Sequence, residues 1–337
     1  MIDVVIATFN RIDSAIRLAN SIKKTSSNYL NKIILLDSTD YKFPVNFSKG
    51  NIFHIVTKHR NQPYQRFLGY CLSESEYIIF LDDDMEITEV ERLLERTSEI
   101  FRQDSIVAIA YNFSEKHNDT ALSKVPVTAF KNRLTFFKKI KDLITGYPRP
   151  NTGKYGLCGT RGPKPMEEVS TEHIGGGAFA VRRDVMYRNF NFQLFDIYEN
   201  GLGKGEDGIL GYSLAKQGKI YFNRNHFFTH NDQNDSTYST DIYKFARRVA
   251  FSRLYLSLEK TRLDNRSLLL ARTHYHYYMF WRIIGFSLNY CLNPSKNRKD
   301  LLYGSLNGWW LATYFKFDRA LTRTAFWKDE AIKDISR

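Results

Sequence analysis

One stretch, Tyr77-Ile78-Ile79-Phe80-Leu81-Asp82-Asp83-Asp84, constrains the fold of this chain more than any other. An apolar run without polar alternation reads as a strand buried on both faces, as in a parallel sheet. The three carboxylates cannot stay inside that sheet, because unpaired buried charge is costly. They must emerge at the carboxyl end of the strand, where open α/β sheets bind ligands. Alternation along a strand predicts Asp82 and Asp84 on one side and Asp83 on the other. Two carboxylates on one side of a crevice suit a hard divalent cation. The competing reading is a solvated acidic turn before a helix, capped by Asp84 or Thr88.

The flanking sequence repeats the theme. Strands are predicted at 3–8, 32–36, 51–56, 77–81 and 105–111, with helices at 13–24, 62–71 and 88–101 between them. Pro63 is compatible with a first helical turn. This alternation argues for a mostly parallel sheet with helices on both faces. Polar residues recur at strand ends: Thr8, Asn10 and Arg11, then Asp37, then the acid trio. There is no GxGxxG after the first strand and no GxxxxGK[ST], which disfavours a dinucleotide fold and a phosphate-binding loop.

Further on, 113–172 is irregular, with a Gly- and Pro-rich stretch at 146–165 that reads as a long loop. Then come Glu172-His173 and Gly175-Gly176-Gly177, where close backbone approach or unusual dihedrals would need glycine. Gly205-Glu206-Asp207 opens an amphipathic helix ending near Gln217. Acids there favour the positive end of the helix dipole whatever else they do. Short strands at 219–223 and 226–229 precede His230.

Taken in order, Val5-Ile6-Ala7-Thr8-Phe9-Asn10-Arg11, Asp37, Phe80-Leu81-Asp82-Asp83-Asp84, Gly175-Gly176-Gly177 through Arg182-Arg183, Gly205-Glu206-Asp207 and His230 resemble a family-2 glycosyltransferase of the GT-A fold. The resemblance spans roughly residues 1–232. It implies inverting transfer of a sugar from a nucleotide-diphosphate donor to an acceptor hydroxyl. A diphosphate leaving group calls for a cation as Lewis acid, so one carboxylate suffices as general base. By the same resemblance Asp207 is the base, while Asp84, Asp82 and His230 hold Mn²⁺ or Mg²⁺. Thr8, Asn10, Arg11 and Asp37 hold the nucleotide, with Asp37 accepting from a uracil N–H. Asp82 or Asp83 holds the ribose, Arg66 lies near the diphosphate, and Gly176 lies near the sugars. For Arg66, a solvated helix charge is the alternative. For His230 it is an ordinary surface or core histidine.

The net charge is +13. From residue 240 onward 18 Lys/Arg face 8 Asp/Glu, so most of the excess lies in the last third. Helices are predicted there at 242–263, 267–292 and 299–324, with Tyr277, Phe280, Trp281, Ile284 and Leu288 in one stripe. A helical cap, an oligomer interface and contact with a membrane surface all fit. Nucleic-acid binding is disfavoured, because no recognised module accompanies the charge.

The division expected is a GT-A catalytic domain at 1–235, with an insertion at about 113–172, and a helical region at 236–337. Cys71, Cys158 and Cys291 form no CxxC pair, consistent with a reducing compartment. No secretory signal and no apolar run of about 18 residues is present. The expectation is a cytoplasmic enzyme, soluble or peripheral on the inner face of the membrane. It would use a UDP-sugar and a glycan or lipid-linked acceptor in cell-surface polysaccharide synthesis. A non-catalytic glycan- or membrane-binding protein and a sugar-phosphate nucleotidyltransferase are the alternatives.

Overall fold

The computed structural model describes residues 1–25, 27–40, 48–115, 153–156, 170–172, 174–230, 241–315, 317 and 322–336. Most of the 113–172 insertion, His173 and Cys158 lie outside them.

Strands β1 (Ile2–Thr8), β2 (Leu30–Asp37), β3 (Ile52–Val56) and β4 (Tyr77–Asp82) run parallel in the order β3-β2-β1-β4. Because side chains alternate, each strand feeds two apolar layers. Val4, Ile6, Ile33, Leu35, Ile79 and Leu81 pack under helices α1 (Ile12–Lys23) and α3 (Val90–Phe101). Val5, Ile34, Leu36, Ile78 and Phe80 pack under α2 (Gln62–Leu72). Burying each such side chain is worth about 1.5–3 kcal/mol, so a charge at any of these positions would break the sheet. Helix α2 sits so close that a Cβ at Gly69 would lie 2.4 Å from Val5 Cγ1.

Beyond β4 the sheet becomes mixed. β5 (Met85–Ile87), β6 (Ile106–Glu115), β7 (Ser170–Thr171), β8 (Ala178–Arg182) and β9 (Lys219–His230) extend it in the order β4-β8-β6-β9-β5, with β7 also on β9. β8 is antiparallel to both neighbours, whereas β6 and β9 are parallel. The βαβ pattern of the first hundred residues therefore describes the first half of the sheet only. The two strands expected at 219–223 and 226–229 form one continuous β9. Helix α3 starts at Val90, not Thr88, because β5 pairs with β9 and Thr88 N–H donates to Phe227 O instead of capping.

Between β8 and β9 lie α4 (Arg183–Met186), α5 (Phe192–Glu199) and α6 (Glu206–Ala215). Then α7 (Ile242–Leu263), α8 (Leu268–Leu292) and α9 (Lys296–Tyr314) pack together through Phe251, Leu254, Tyr255, Tyr275, Met279 and Ala312. The helix expected over 299–324 stops at Tyr314. Phe315 and Phe317 turn back onto Phe251, with ring centroids 5.1 and 5.4 Å away, and draw the chain out of the helix. A last helix, α10 (Thr324–Ile335), returns to pack on α2, α5 and β3. Its apolar pattern is thin because two of its buried residues are acids, Glu330 and Asp334. No described helix is long and apolar enough to cross a membrane.

Candidate functional site

The ends of β1, β2 and β4 meet at one edge of the sheet. Register sets Thr8 beside Asp37 and Ala7 beside Asp82, so the polar residues after each strand converge. Thr8 Oγ1 donates to Asp83 Oδ2 at 2.5 Å. Arg11 forms ion pairs with Asp83 and, at 3.1 Å, with Asp84. Asp84 Oδ1 lies 3.3 Å from His230 Nε2. The short β5 explains that contact, since Met85 pairs with His230 across to β9.

The strict alternation expected over the trio does not hold. β4 ends at Asp82 and a turn follows, so Asp83 and Asp84 share Arg11. Asp82 Oδ1 instead accepts from Gln62 at 2.7 Å and Arg66 at 3.3 Å. Burial pushes the Asp82 carboxyl up to about 6, against the pull of Arg66. Burial also raises Asp83 to about 6, against Arg11. Burial opposes ionisation of Asp84 too, but the hydrogen bond and charge of His230, with Arg11, hold it below the usual carboxylate range.

Arg66 is 3% exposed, which rules out a solvated helix charge. It donates to Glu206 at 3.0 Å and to Gly176 O at 2.7 Å as well as to Asp82, and lies 5.4 Å over the Phe179 ring. It thus ties the acid trio to the glycine turn and to the start of α6. Gly205 enters α6 in the left-handed region, φ +83°, which favours glycine. Asp207 follows, buried, with Oδ1 accepting from Gly208 N–H. A Cβ on Gly176 would lie 3.2 Å from Asp207 Oδ2, a tight approach that a side chain could make only if Asp207 shifted. Burial, then the charge of Asp207, raise Glu206 to about 7 despite Arg66. Tyr198 OH donates to the other Glu206 oxygen.

The remaining candidates sit differently. Asn10 is exposed in the left-handed region at φ +58°, its N–H donating to Thr39 Oγ1. Asp37 is fully buried, with Oδ1 accepting from Thr39 N–H at 2.8 Å and Oδ2 3.5 Å from His54 Nε2. Glu172 holds Lys154 and the N–H of Tyr155. Sequence reasoning missed Gln62 and Tyr198, because neither belongs to a motif and only the fold brings them to an acid. A cavity of about 350 Å³ has Arg66 and Glu206 in its wall, with Phe190, Phe192, Phe195 and Glu259, and none of the acid trio lines it.

Among the described residues no three acids, histidines or cysteines form a ready cation cage. The Asp84 carboxylate is nonetheless the donor type that Mn²⁺ or Mg²⁺ takes, and the adjacent His230 imidazole favours a transition metal such as Mn²⁺ over Mg²⁺. They fit a cation whose shell a ligand completes.

Residues 3–156 match the model of glycosyl transferase family 2. No curated protein sequence matches the chain. Residues 1–349 of TarS from S. aureus superpose with a TM-score of 0.51 at 12% identity, covering 99% of this chain and 88% of that one. The same protein in complex with UDP-GlcNAc gives 0.51, 12%, 99% and 88%. A mannosyltransferase from Pyrobaculum calidifontis, in complex with GDP-Man and Mn²⁺, gives 0.49 at 11% identity over 99% and 86%. The family stretch runs through β1, Asp37 and the acid trio, so this part of the chain is similar to family 2 glycosyltransferases, and the chain as a whole shares the fold of TarS.

Proposed function

We propose that this enzyme inverts the anomeric carbon of a UDP-sugar while transferring the sugar to a glycan or lipid-linked glycan in surface-polysaccharide assembly. One observation supports the reading: buried Arg66 donates to Asp82, Gly176 O and Glu206, which links the acid trio to the glycine turn and to the start of α6, where Asp207 follows. Thr8, Asn10, Arg11 and Asp37 line the nucleotide end. The UDP-GlcNAc bound by TarS supports UDP as the nucleotide. Asp37 is buried, so on this reading it shapes the base pocket through Thr39.

Asp207 accepts the proton of the acceptor hydroxyl as its oxygen bonds to the anomeric carbon. The bond from that carbon to the diphosphate breaks, and the nucleoside diphosphate departs. Asp84 and His230, with Asp82, are the residues that would hold a divalent cation. When bound, it supplies charge stabilisation to the leaving diphosphate. Arg11 and Arg66 keep the carboxylates oriented, and Gly176 leaves room beside the base. Burial and the charge of Asp207 raise the Glu206 pKa, which favours its protonated form and limits repulsion of the neighbouring Asp207 carboxylate.

Residues 1–235 form the catalytic unit on this reading, and the helices after it add a surface. Trp281, Leu288 and Leu292 of α8 and Tyr303, Leu306, Trp310 and Tyr314 of α9 are exposed large apolar side chains. With the basic excess they suit the inner face of a membrane bearing a lipid-linked acceptor. A homo-oligomer is the other occupant of that face, and light scattering separates the two. The test of the catalytic reading is hydrolysis and transfer across a panel of nucleotide sugars, with and without Mn²⁺ or Mg²⁺. UDP-sugar turnover that stops on chelation is expected. A metal-independent result, or release of pyrophosphate from a sugar phosphate and a nucleoside triphosphate, would overturn it.

A further inference from the structure

The segment 57–66 joins β3 to α2 and has two working sides. On one side Gln62 and Arg66 hold Asp82, and Gln65 Nε2 donates to Thr8 O at 3.0 Å and Leu36 O at 2.9 Å, where β1 and β2 end. On the other side the same segment is gripped by α10. Asp334 Oδ2 accepts from Thr57 Oγ1 at 2.7 Å and Tyr64 OH at 2.9 Å. Glu330 pairs with Lys58 at 2.7 Å and with His59 Nε2 at 3.1 Å. Trp327, wholly buried, has its ring centroid 5.0 Å from that of His59 and 5.2 Å from that of Tyr64. Its Nε1 donates to Asp196 of α5 at 2.9 Å, and Arg323 pairs with the same carboxylate.

We propose that α10 is a clasp that presets the donor crevice, with Glu330, Asp334 and His59 as positioning residues. They act through Gln62, Gln65 and Arg66, so they touch no substrate. The inference rests on the donor-site reading above.

The clasp carries its own pH dependence. The two ring nitrogens of His59 each face a carboxylate, Glu199 Oε1 and Glu330 Oε2, both at 3.1 Å. Carboxylates only accept, so the imidazolium, with two N–H groups, is the form that satisfies both. Lys58, Lys333, Arg323, Tyr64 and Asp334 are the other ionisable groups around it. Burial opposes the charge of His59, but the two hydrogen bonds outweigh it and raise its pKa. The clasp is therefore whole below about pH 6.5, the ordinary histidine value, and loosens as pH rises through the raised one.

The experiment uses the full chain. Glu330→Ala and Asp334→Ala should raise the Kd and KM for the donor by roughly tenfold or more, the scale of lost support behind a ligand-holding group. Turnover at saturation should change less. Asp334→Asn keeps an acceptor oxygen and should restore most of the affinity. Met279→Ala, in the distant contact of α7 with α8, serves as a control that lowers the melting temperature and leaves KM unchanged. Wild-type donor affinity should weaken on the alkaline side, and His59→Gln should flatten that limb. Amide exchange at 61–66 is read alongside, with or without donor, and should quicken in both alanine variants. Should one of them fail to fold, Asp334→Asn and His59→Gln are read in its place. Unchanged exchange at 61–66, or an equal KM shift in Met279→Ala, overturns the clasp. Absence of any nucleotide-sugar binding by the wild type, with exchange quickened as expected, overturns the catalytic reading and leaves the clasp standing.

Discussion

Two sets of acids in this molecule, buried or half-buried, make an instructive pair. Those of the crevice, Asp82, Asp83 and Glu206, are pushed up to about 6, 6 and 7, chiefly by burial. On α10, Glu330 is pulled down to about 2, first by its hydrogen bonds to Lys333 and Lys58 and then by that to His59. The residue type is the same, and the difference is compensation. Glu330 meets three cationic partners, whereas Glu206 shares one arginine with Asp82 and sits beside a like charge. Uncompensated carboxylates are commoner at ligand sites than elsewhere, whereas Glu330, like Asp84 beside His230 and Arg11, is compensated by its partners.

The sharpest way to break the comparison is Asp207→Asn. If the crevice acids serve chemistry, turnover falls roughly 10²-fold or more, the scale of a positioned base. Donor Kd stays near the wild-type value. Single-turnover assays with calorimetry measure both, and unchanged turnover removes Asp207 from the reaction.

Next in size is a matched pair of neutralisations, Glu330→Gln and Glu206→Gln. Glu330→Gln takes charge from three partners and should cost about 1.5–3 kcal/mol by denaturant unfolding, the range for hydrogen bonds to charged groups. Glu206→Gln should melt at the same or a higher temperature at pH 8. Its folded pKa lies above the unfolded one, so ionisation penalises the native state as pH rises from about 4.5 towards 7, and glutamine lifts that penalty. Two equal losses would show that the acids do the same job.

His59→Gln refines the same contrast through pH. A raised histidine pKa stabilises the fold fully below the unfolded value near 6.5 and ceases to do so above the folded value. The melting-temperature gap between wild type and variant should therefore be widest near pH 6 and close towards pH 9. A gap that widens with pH contradicts the assignment.

How much of this was legible beforehand follows from where the signals lie. The apolar run 77–81 and its neighbours announced the parallel half of the sheet, because double-sided burial leaves no polar alternation to misread. Thr8, Arg11, Asp83, Asp84 and His230 lie within hydrogen-bond or ion-pair reach of one another, while Asp207 stands next to Glu206, which Arg66 links to Asp82. The antiparallel insertion of β8 was not legible, since Ala178–Arg182 has the same apolar character as a parallel strand. Nor was α10, whose buried stripe mixes Trp327 and Ala331 with Glu330 and Asp334 and so defeats a hydrophobic period. Gln62 carries no motif at all, and only the packing of α2 against β4 reveals its bond to Asp82.

The smallest effect should come from the outer faces of α8 and α9, where Trp281 and Trp310 are largely exposed and their ring contacts are with neighbours on the same helix. Trp310 is 60% exposed and Leu292 is 68% exposed, so removing either leaves no cavity. Trp310→Ala and Trp281→Ala should each shift unfolding by no more than about 0.5 kcal/mol, the usual bound for surface positions. Both should keep full turnover on a water-soluble acceptor, because neither residue lies near Arg66 or the acid trio. If the face meets a lipid surface, both variants should co-sediment less with anionic vesicles, and added salt should weaken the wild type in the same assay. Here the contrast runs opposite to that of the acids. Buried charge around Arg66 costs stability and on the proposed reading serves the donor, whereas exposed aromatic surface on these helices costs the monomer almost nothing and would serve only a partner. A loss of several kcal/mol in Trp310→Ala would instead show that this surface is packed within the folded chain.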